Sequence, residues 1–353
     1  MKKMFCVTSV LCIILMASTV FAWQQVCKSW TPAMVGGPAA QGKDLLSVRW
    51  IEGPNMELTY KNQVFLLSAY FDRGPDYEML TVNPKDVKRA DAIFLGHGHG
   101  DHMLDAARIA VQTGAKIYAQ KVTIDLLKEV NEVPWDQLVT VTAGDTFDFN
   151  GFKVEAVHVY HSGKDKPGEG DGMRIYDQVP PAVNTAFNAL KAAMTPPKSP
   201  AQTDWEADPA GTFKKYFRMG DLGAAMSHDV MGYLFTFGKD FTFFYHDSMN
   251  YAITQELKNM MARIKKTDIA SVAYAGSPTK YAVPWGMPET MLLNPQYVIP
   301  NHNWPSHDVD TNAYAVAIRN AIPGASLLSL MPNQVSCFNV KNHKLISDGV
   351  IGP

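Results

Sequence analysis

Three histidines and one aspartate lie within six positions at the end of a short apolar stretch, and this cluster constrains the chain more than any other feature. The stretch and the cluster read Ala92-Ile93-Phe94-Leu95-Gly96 and His97-Gly98-His99-Gly100-Asp101-His102. An apolar run of this kind predicts a buried strand that ends at a loop. Imidazole and carboxylate groups on a tight, glycine-rich loop are suitable metal donors. The alternative is a polar loop whose histidines have no joint role, and only the structural context separates the two.

The spacing of the donors predicts two metal ions. His97 and His99 are two residues apart, so in an extended segment both imidazoles project to the same side and can bind one ion. Asp101 and His102 fall where the chain should turn into a helix, close enough to hold a second ion beside the first. The cluster is therefore interpreted as the metal-binding centre of a hydrolase.

The composition excludes some classes of function. The 353 residues are 46% hydrophobic, so the chain can bury a large core, as one large domain or as two smaller ones. Charged residues make up 19% of the chain and the formal net charge is -2. A net charge this close to zero does not indicate the excess of basic residues that nucleic-acid-binding proteins usually have. We expect a small-molecule substrate and no nucleic-acid partner.

The N-terminus has the features of a secretory signal peptide. Lys2 and Lys3 precede an apolar stretch from Val10 to Val20, and Val20-Phe21-Ala22 is a small-residue cleavage site. A retained membrane anchor is the alternative, but the apolar run is shorter than the ~20 residues that a spanning helix needs. We predict a signal peptide over residues 1–22, export across the inner membrane of a bacterium to the periplasm, and no membrane span after cleavage.

Two cysteines remain after such cleavage, Cys27 near the start of the mature chain and Cys337 near its end. The expected compartment permits disulfides. The sequence leaves open whether the two form a bridge or stay as unpaired thiols. Neither lies near the histidine cluster in sequence, so neither is predicted to bind metal.

Apolar runs and alternation predict strands and helices on both sides of the cluster. Strands over residues 45–50, 56–60 and 64–69 open the fold as an antiparallel unit. Further strands are predicted at residues 92–95, 116–119, 138–142, 146–149, 152–160, 231–237, 241–245, 269–275 and 297–299. Helices are predicted at residues 103–111, 123–130, 253–264 and 313–321.

Residues 162–225 differ from the rest of the chain, because they contain seven prolines and little strand pattern. A long irregular segment inside a compact enzyme is usually a functional lid or a mobile insertion. The segment begins directly after His161, a candidate ligand, so a lid over the site is the favoured interpretation. We predict a single domain over residues 23–353 with this lid as an insertion.

Candidate ligands occur at four separate places, each just past the C-terminal end of a predicted strand. These residues are His97, His161, Asp247 and His302. Strand ends in one layered fold can share one rim, which is where binding sites collect. The repeated placement is stronger evidence for a shared site than any single histidine.

On these residues the chain resembles the metallo-β-lactamase-fold hydrolases. The resemblance covers roughly residues 45–304 without the lid, and its layout is most similar to one branch of that superfamily. The branch includes the L-ascorbate-6-phosphate lactonase-like and the N-acylphosphatidylethanolamine phospholipase D-like proteins. The resemblance implies an α+β fold, a four-layer αββα sandwich of the metallo-β-lactamase type, with metal ions at the edge between two sheets.

The same resemblance implies which residues hold each ion. One ion would be held by His97, His99 and His161, a second by Asp101, His102 and His302, with Asp247 bridging them. Zinc is the first candidate for two divalent ions on so many histidines. The two carboxylates would also accept manganese or iron.

The third histidine of the first set has a competitor, His158, three positions before His161. In a strand these two side chains point to different faces, so only one should reach the ions. His161 is preferred because it lies where the strand ends. His161→Ala should therefore cost metal and activity, and His158→Ala should be tolerated.

Two positions depart from the pattern of the family. His246 stands where the family usually has a glycine before the bridging aspartate, and Ser68 stands where the branch often has an aspartate. His246 could contact the substrate or support a ligand, or it could point outward. His228 could be delivered near the site from the end of the lid, or it could have a surface or structural role. His307 is expected at the rim rather than among the ligands.

The expected reaction is metal-assisted hydrolysis by a metal-bound hydroxide, with Asp101 orienting the nucleophile and moving a proton. Two bond classes fit: a lactone or another carboxylic ester or amide, and a phosphodiester. A non-enzymatic metal-binding protein is the third hypothesis. No serine-centred nucleophile elbow or glycine-rich phosphate loop competes for the site.

Overall fold

The computed structural model describes residues 31–38, 44–72, 82–129, 131, 133–161, 230–250, 252–273, 279–302, 311–328 and 331–350, with isolated positions between 181 and 192. The predicted signal peptide, Cys27, most of the predicted lid, His228 and His307 lie outside the described residues. Within the described residues, no helix is long and apolar enough to cross a membrane.

Strands make up two sheets. The chain first forms β1 (Leu45–Glu52), β2 (Asn55–Tyr60), β3 (Gln63–Leu67), β4 (Ala92–Phe94), β5 (Lys116–Ala119) and β6 (Leu138–Thr140). It continues with β7 (Thr146–Phe149), β8 (Phe152–Val159), β9 (Val230–Phe237), β10 (Phe241–His246), β11 (Ile269–Val272), β12 (Tyr297–Val298) and β13 (Ser326–Leu327). The last strands are β14 (Gln334–Asn339) and β15 (Lys344–Val350).

The helices lie in the connections between parallel strands. They are α1 (Gly100–Met103), α2 (Ala106–Thr113), α3 (Lys121–Glu129), α4 (Gln255–Ile264), α5 (Thr279–Leu293) and α6 (Thr311–Ala321). Short 3₁₀ turns lie at Pro84–Asp86 and Trp135–Gln137. In α4 the Thr254 hydroxyl caps the first turn by accepting from the Leu257 N–H.

Both sheets are mixed, and their strand order brings the candidate ligands to one edge. The first sheet has the order β15-β14-β1-β2-β3-β4-β5-β6, and β3 to β6 are parallel. The second has the order β13-β12-β11-β10-β9-β8-β7, and β10 to β13 are parallel. Because β8 and β10 are each antiparallel to β9, they also point the same way. The C-terminal ends of β8, β10 and β12 therefore share one edge of the second sheet.

Three apolar cores separate four layers. Between the sheets, side chains such as Phe65 and Phe94 of the first pack against Phe235 and Phe243 of the second. A second core joins α2 and α3 to the outer face of the first sheet, and a third joins α4 and α5 to the outer face of the second. Each buried aromatic or aliphatic side chain contributes about 1.5–3 kcal/mol. The predicted αββα sandwich is confirmed.

The segment before β1 is tied to the first sheet by a buried ion pair. Arg49 of β1 lies 3.4 Å from Glu57 of β2, and both side chains are buried. The Gly36 N–H donates to the Glu57 carboxylate at 2.6 Å, and Arg49 donates to the Pro32 carbonyl. The pair satisfies backbone groups of residues 31–38, which are therefore part of the fold.

One local prediction was wrong, and one helix was not predicted. The helix expected over residues 103–111 is divided at Leu104 and Asp105, where the Asp105 carboxylate accepts from the N–H groups of Phe71 and Asp72. Helix α5 was not predicted, since Pro284 and Pro288 lie inside it and proline normally ends a helix. Its position against the second sheet compensates for the lost backbone hydrogen bonds by burying apolar side chains such as Trp285.

Candidate metal centre

Asp247 is held against the end of β4 by a hydrogen bond to the backbone. The Gly96 N–H donates to Asp247 Oδ2 at 2.9 Å, and His97 Nδ1 lies 3.0 Å from Asp247 Oδ1. A Cβ atom at Gly96 would overlap the Asp247 carboxylate, so this position requires glycine. Since Asp247 can only accept, His97 donates from Nδ1 and its Nε2 lone pair is left for another partner.

The first group of donors combines the motif with the end of β8. His97 Nε2 lies 2.9 Å from His99 Nδ1. The His161 ring centroid is 4.7 Å from that of His97 and 4.6 Å from that of His99. One donor atom from each of the three lies within 4.8 Å of the others, so one ion could contact all three.

His158 lies elsewhere. Its Nδ1 is 3.8 Å from the Glu256 carboxylate of α4, and its side chain is partly exposed. It belongs to β8, and His161 follows that strand by two positions. Of the two histidines, the structure thus brings His161 into a donor group and directs His158 to the helix on the outer face.

The second group of donors joins α1 to the segment after β12. His302 Nε2 lies 3.1 Å from Asp101 Oδ2 and 3.2 Å from His102 Nε2. Asp101 Oδ1 is 3.7 Å from His102 Nε2. Again one donor atom from each residue lies within 4.8 Å of the others.

Asp247 lies between the two groups. Its Oδ1 is 3.0 Å from His97 Nδ1, and its Oδ2 is 3.4 Å from His102 Nδ1. His97, His102 and Asp247 form a third set of donors with the same compact spacing. Asp247 thus contacts the Nδ1 side of both rings, and its role as a bridge between two ions stays a prediction.

Two histidines at the centre, His99 and His102, are held in the neutral form. Burial lowers the pKa of His99 well below its usual value, and the neighbouring His97 and His161 lower it further. Burial also lowers the pKa of His102, although Asp247 opposes the shift. Neutral imidazole is the form that binds metal.

The carboxylates are held in the ionised form. Burial opposes the ionisation of Asp101, but the hydrogen bond and charge of His302 outweigh it and lower the pKa of Asp101. Burial likewise opposes ionisation of Asp247, and His97 and His102 outweigh it, so the pKa of Asp247 is also lowered. The pKa of His302 is raised, since its hydrogen bond to Asp101 exceeds the effect of burial.

The donor set fits divalent cations. Within the described residues, the buried atoms His99 Nε2 and Asp101 Oδ1 have no hydrogen-bond partner. His102 Nε2 lies 3.2 Å from His302 Nε2, and His97 Nε2 lies 2.9 Å from His99 Nδ1, so one cation could contact both nitrogens of each pair. Five histidines with two carboxylates suit zinc, and manganese or iron would also accept them.

The backbone around His302 is itself unusual. His302 has φ +58°, in the left-handed region that non-glycine residues seldom occupy. Its N–H donates to the Gly53 carbonyl at 2.7 Å, and the adjacent Asn301 side chain donates to the His246 carbonyl and to Ser271 Oγ. These bonds from both sheets hold the strained residue in place.

The two departures from the family pattern have different surroundings. His246 lies on the outer face of the second sheet, where its Nδ1 is 2.9 Å from the buried Glu289 of α5, and it is outside the donor groups. Ser68 contacts the centre directly, since its Oγ is 3.0 Å from His102 Nδ1 and 3.0 Å from the Tyr245 hydroxyl. The sequence did not reveal Tyr245 or Glu289; alternation along β10 only indicates that Tyr245 faces the inter-sheet core.

An αββα sandwich with histidines and carboxylates from both sheets at one edge is the arrangement that the resemblance to the metallo-β-lactamase-fold hydrolases implied. In agreement, residues 64–182 match the family model described as the beta-lactamase superfamily domain. That match contains the motif and His161, whereas Asp247 and His302 lie beyond it. The branch within this superfamily stays a prediction.

Curated relatives share the motif-bearing part of the chain. A UPF0173 metal-dependent hydrolase from Thermococcus onnurineus is 37% identical over 142 residues, which cover 37% of this chain and 60% of the relative. Another from Myxococcus xanthus is 38% identical over 105 residues, which cover 26% of this chain and 36% of the relative. The matched part thus spans 60% of the relative's length or less in both cases.

Solved structures match over more of the chain but at low identity. Igni18, a metallo hydrolase from Ignicoccus hospitalis, superposes with a TM-score of 0.52 at 15% identity over 83% of this chain and 98% of its own. An isothiocyanate hydrolase from Delia radicum gut bacteria gives a TM-score of 0.50 at 14% identity, with coverage of 82% and 98%. At this identity the likeness supports the fold alone.

Proposed function

We propose that the protein is a metal-dependent hydrolase acting on a small molecule. The observation that carries the proposal is the grouping of seven side chains into three donor sets, each with ligand atoms within 4.8 Å of one another. Divalent ions held there would supply Lewis acidity and lower the pKa of a bound water toward ~7. The curated relatives named as metal-dependent hydrolases support the same class.

The protein's own groups have distinct tasks in this proposal. Asp101, ionised and partly exposed at 17% of its side chain, can accept a proton from the attacking water through Oδ1, which has no hydrogen-bond partner among the described residues. His302 holds the other carboxylate oxygen at 3.1 Å and so fixes the direction of Oδ1. Asp247 accepts a hydrogen bond from His97 Nδ1 and so fixes the orientation of the His97 ring. Metal-binding histidines are commonly oriented by such a bond from the ring nitrogen that does not bind the metal.

The proposed bond is a lactone or another carboxylic ester or amide. It follows from the resemblance of the motif and strand-end ligands to the lactonase-like branch. Hydrolysis of a phosphodiester is an outcome of the same experiment. Purified protein should be analysed for metal and then assayed on lactones, β-lactams and model phosphodiesters, with and without chelator, and after addition of zinc, manganese or iron. Turnover on phosphodiesters alone would reject the lactonase assignment, and two bound ions without turnover on any class would indicate a metal-binding protein.

A single substitution tests the role of Asp101. Asp101→Asn removes the proton acceptor and should lower turnover on the substrate found in that panel by about 10²–10⁴-fold. Asp148→Asn is the matched control, because Asp148 is an exposed carboxylate of β7 that only approaches Lys153 at 3.7 Å. Equal turnover of the Asp101→Asn variant and the control would reject the assignment.

We also propose export to the periplasm. Lys2, Lys3 and the apolar run to Val20 support it, and so does the disulfide bond of Cys337. The mass of the protein recovered from the periplasm should correspond to a chain that starts at Trp23, and peptide mapping under non-reducing conditions should show whether Cys27 is the partner. A full-length cytoplasmic product would contradict export.

A further inference from the structure

Ser68 occupies a strained and completely buried position beside the candidate metal centre. It follows β3 directly, is 0% exposed, and has φ +60°. Its N–H donates to the Phe94 carbonyl at 3.0 Å, which holds this left-handed turn in place. Glycine would adopt such a backbone at no steric cost. The presence of a side chain at this position therefore points to a use for its hydroxyl.

The hydroxyl lies in a chain of hydrogen bonds whose direction is fixed at one end. The Tyr245 hydroxyl lies 3.0 Å from the Pro54 carbonyl, and a carbonyl oxygen can only accept, so Tyr245 donates. Tyr245 has a single hydroxyl proton, so at its 3.0 Å contact with Ser68 it must accept, and Ser68 donates. Ser68 Oγ has then used its own proton and must accept from His102 Nδ1, 3.0 Å away.

We infer that Ser68 and Tyr245 position His102 by holding its proton on Nδ1, which turns the Nε2 lone pair toward Asp101 and His302. Nε2 lies 3.2 Å from His302 Nε2 and 3.7 Å from Asp101 Oδ1, inside the second group of donors. The inference rests on the proposed function in so far as that group holds an ion. Ser68 and Tyr245 are positioning residues, since neither belongs to a donor set.

Asp247 is the competing acceptor for the same proton. Its Oδ2 lies 3.4 Å from His102 Nδ1, beyond the 2.7–3.2 Å range of good N–H···O bonds, whereas Ser68 Oγ lies within that range at 3.0 Å. Asp247 also accepts from Gly96 and His97 at 2.9 and 3.0 Å. A neutral hydroxyl thus accepts this proton at residue 68, where the branch often has an aspartate. It fixes the ring without adding negative charge beside the ion.

Nuclear magnetic resonance of the metal-free protein tests the direction of the relay without any dependence on turnover. Long-range ¹H–¹⁵N correlations of ¹⁵N-histidine-labelled protein at pH 8 distinguish a ring protonated on Nδ1 from one protonated on Nε2. The His102 signals are assigned by their absence from a His102→Gln variant. We expect the Nδ1-protonated form in the wild type, and a change in that form in Ser68→Gly.

Metal affinity provides the second readout. Ser68→Gly removes the hydroxyl and also relieves the backbone strain, so the variant should unfold no more easily than the wild type. Its affinity for the second Zn²⁺ should nevertheless fall about 10–100-fold, as expected when an outer partner of a metal-binding histidine is lost. A purely structural role for Ser68 cannot produce weaker metal binding together with undiminished stability.

Two neighbouring tyrosines supply a matched pair. Tyr245 and Tyr233 are directly opposed on β10 and β9, both are 0% exposed, and each hydroxyl donates to a backbone carbonyl. Tyr245→Phe should weaken the second Zn²⁺ site by a similar factor to Ser68→Gly. Tyr233→Phe should leave it unchanged, because Tyr233 bonds to the Leu95 and Tyr118 carbonyls and not to Ser68.

Each outcome decides the inference. The inference is overturned if both Ser68→Gly and Tyr245→Phe bind the second Zn²⁺ with wild-type affinity, or if Tyr245→Phe and Tyr233→Phe lose affinity equally. It is also overturned if the protonated form of the His102 ring is unchanged in Ser68→Gly, because Asp247 would then be the acceptor of the Nδ1 proton. If the wild type binds two ions and hydrolyses nothing, the proposed function fails while the relay can still be confirmed. If the wild type binds a single ion, or none, the inferred effect on the second site is rejected.

Discussion

The two ends of the sandwich both bring histidines beside carboxylates, yet the pKa of His99 at one end and that of His343 at the other are shifted in opposite directions. Strand β10 connects the two ends, with Asp240 just before it and Asp247 just after it. At the Asp247 end, buried rings face other rings, and the pKa of His99 is lowered by burial and by its neighbours. At the Asp240 end, His343 lies between two carboxylates, with Nδ1 2.7 Å from Asp268 and Nε2 3.2 Å from Asp240.

The difference shows that the arrangement of the groups decides what they can bind. Both ring nitrogens of His343 are used by carboxylates, and these bonds outweigh its partial burial and raise its pKa. This ring is itself the cation of its cluster. At the other end His99 and His102 are neutral and ring nitrogens approach one another, so a bound cation could contact them and balance Asp101 and Asp247. Only the latter arrangement is a candidate metal centre.

Removal of metal should therefore affect stability at one end only, and this is the largest expected effect. A ligand that binds only the folded state at about 1,000 times its Kd adds about 4 kcal/mol. Chelation of the metal-loaded protein should lower its free energy of unfolding by about that amount, measured by urea unfolding. The loss should be the same in His343→Gln, because that variant leaves the donor sets intact. No change on chelation would contradict the candidate metal centre.

Ligand choice at the metal end can be tested with two histidines of the same segment. His161→Ala removes a direct metal donor and should reduce metal affinity by more than about 100-fold. Loss of a residue that only orients a metal-binding histidine costs at most about 100-fold. His158→Ala should bind metal as the wild type does, because His158 faces Glu256 of α4. Metal content after dialysis and competition with a chromogenic chelator measure both variants. Loss in His158→Ala with retention in His161→Ala would show that the wrong histidine was chosen.

The sequence predicted most of what depends on local pattern. The motif from His97 to His102, the strand ends and the sandwich followed from alternation, from apolar runs and from the resemblance. The relay from Ser68 to Tyr245 could not be predicted, because the two residues are 177 positions apart on different sheets. Helix α5 was missed because its stability comes from packing against the second sheet, which overrides the effect of Pro284 and Pro288.

The direction of His246 depended on a partner that the sequence did not identify. His246 ends β10, and a residue at that position could face either the site or the outer layer. The structure directs it to Glu289, a residue of the unpredicted helix α5, at 2.9 Å. Without that helix, a histidine next to Asp247 was a reasonable candidate for contact with substrate. Errors at such positions arise from non-local packing rather than from the motif.

The smallest expected effect concerns pH at the end opposite the metal centre. The groups that face His343 are Asp240 from the β9–β10 turn and Asp268, which directly precedes β11, with the Phe241 ring 5.5 Å away. Because the pKa of His343 is raised on folding, its stabilising contribution is fully present below the unfolded value of ~6.5. It is lost as the pH rises through the higher folded value.

We expect His343→Gln to lower the free energy of unfolding by at most about 1 kcal/mol at pH 5.5 and by much less at pH 9, since the ring is partly exposed and solvent screens the pair. Urea unfolding at both pH values, with the metal content held constant, measures this difference. His158→Gln is the matched control, because that ring faces one carboxylate at 3.8 Å instead of two at shorter distance. A loss in His343→Gln that is larger at pH 9 than at pH 5.5 would show that the ring is neutral, and the contrast between the two ends would then not hold.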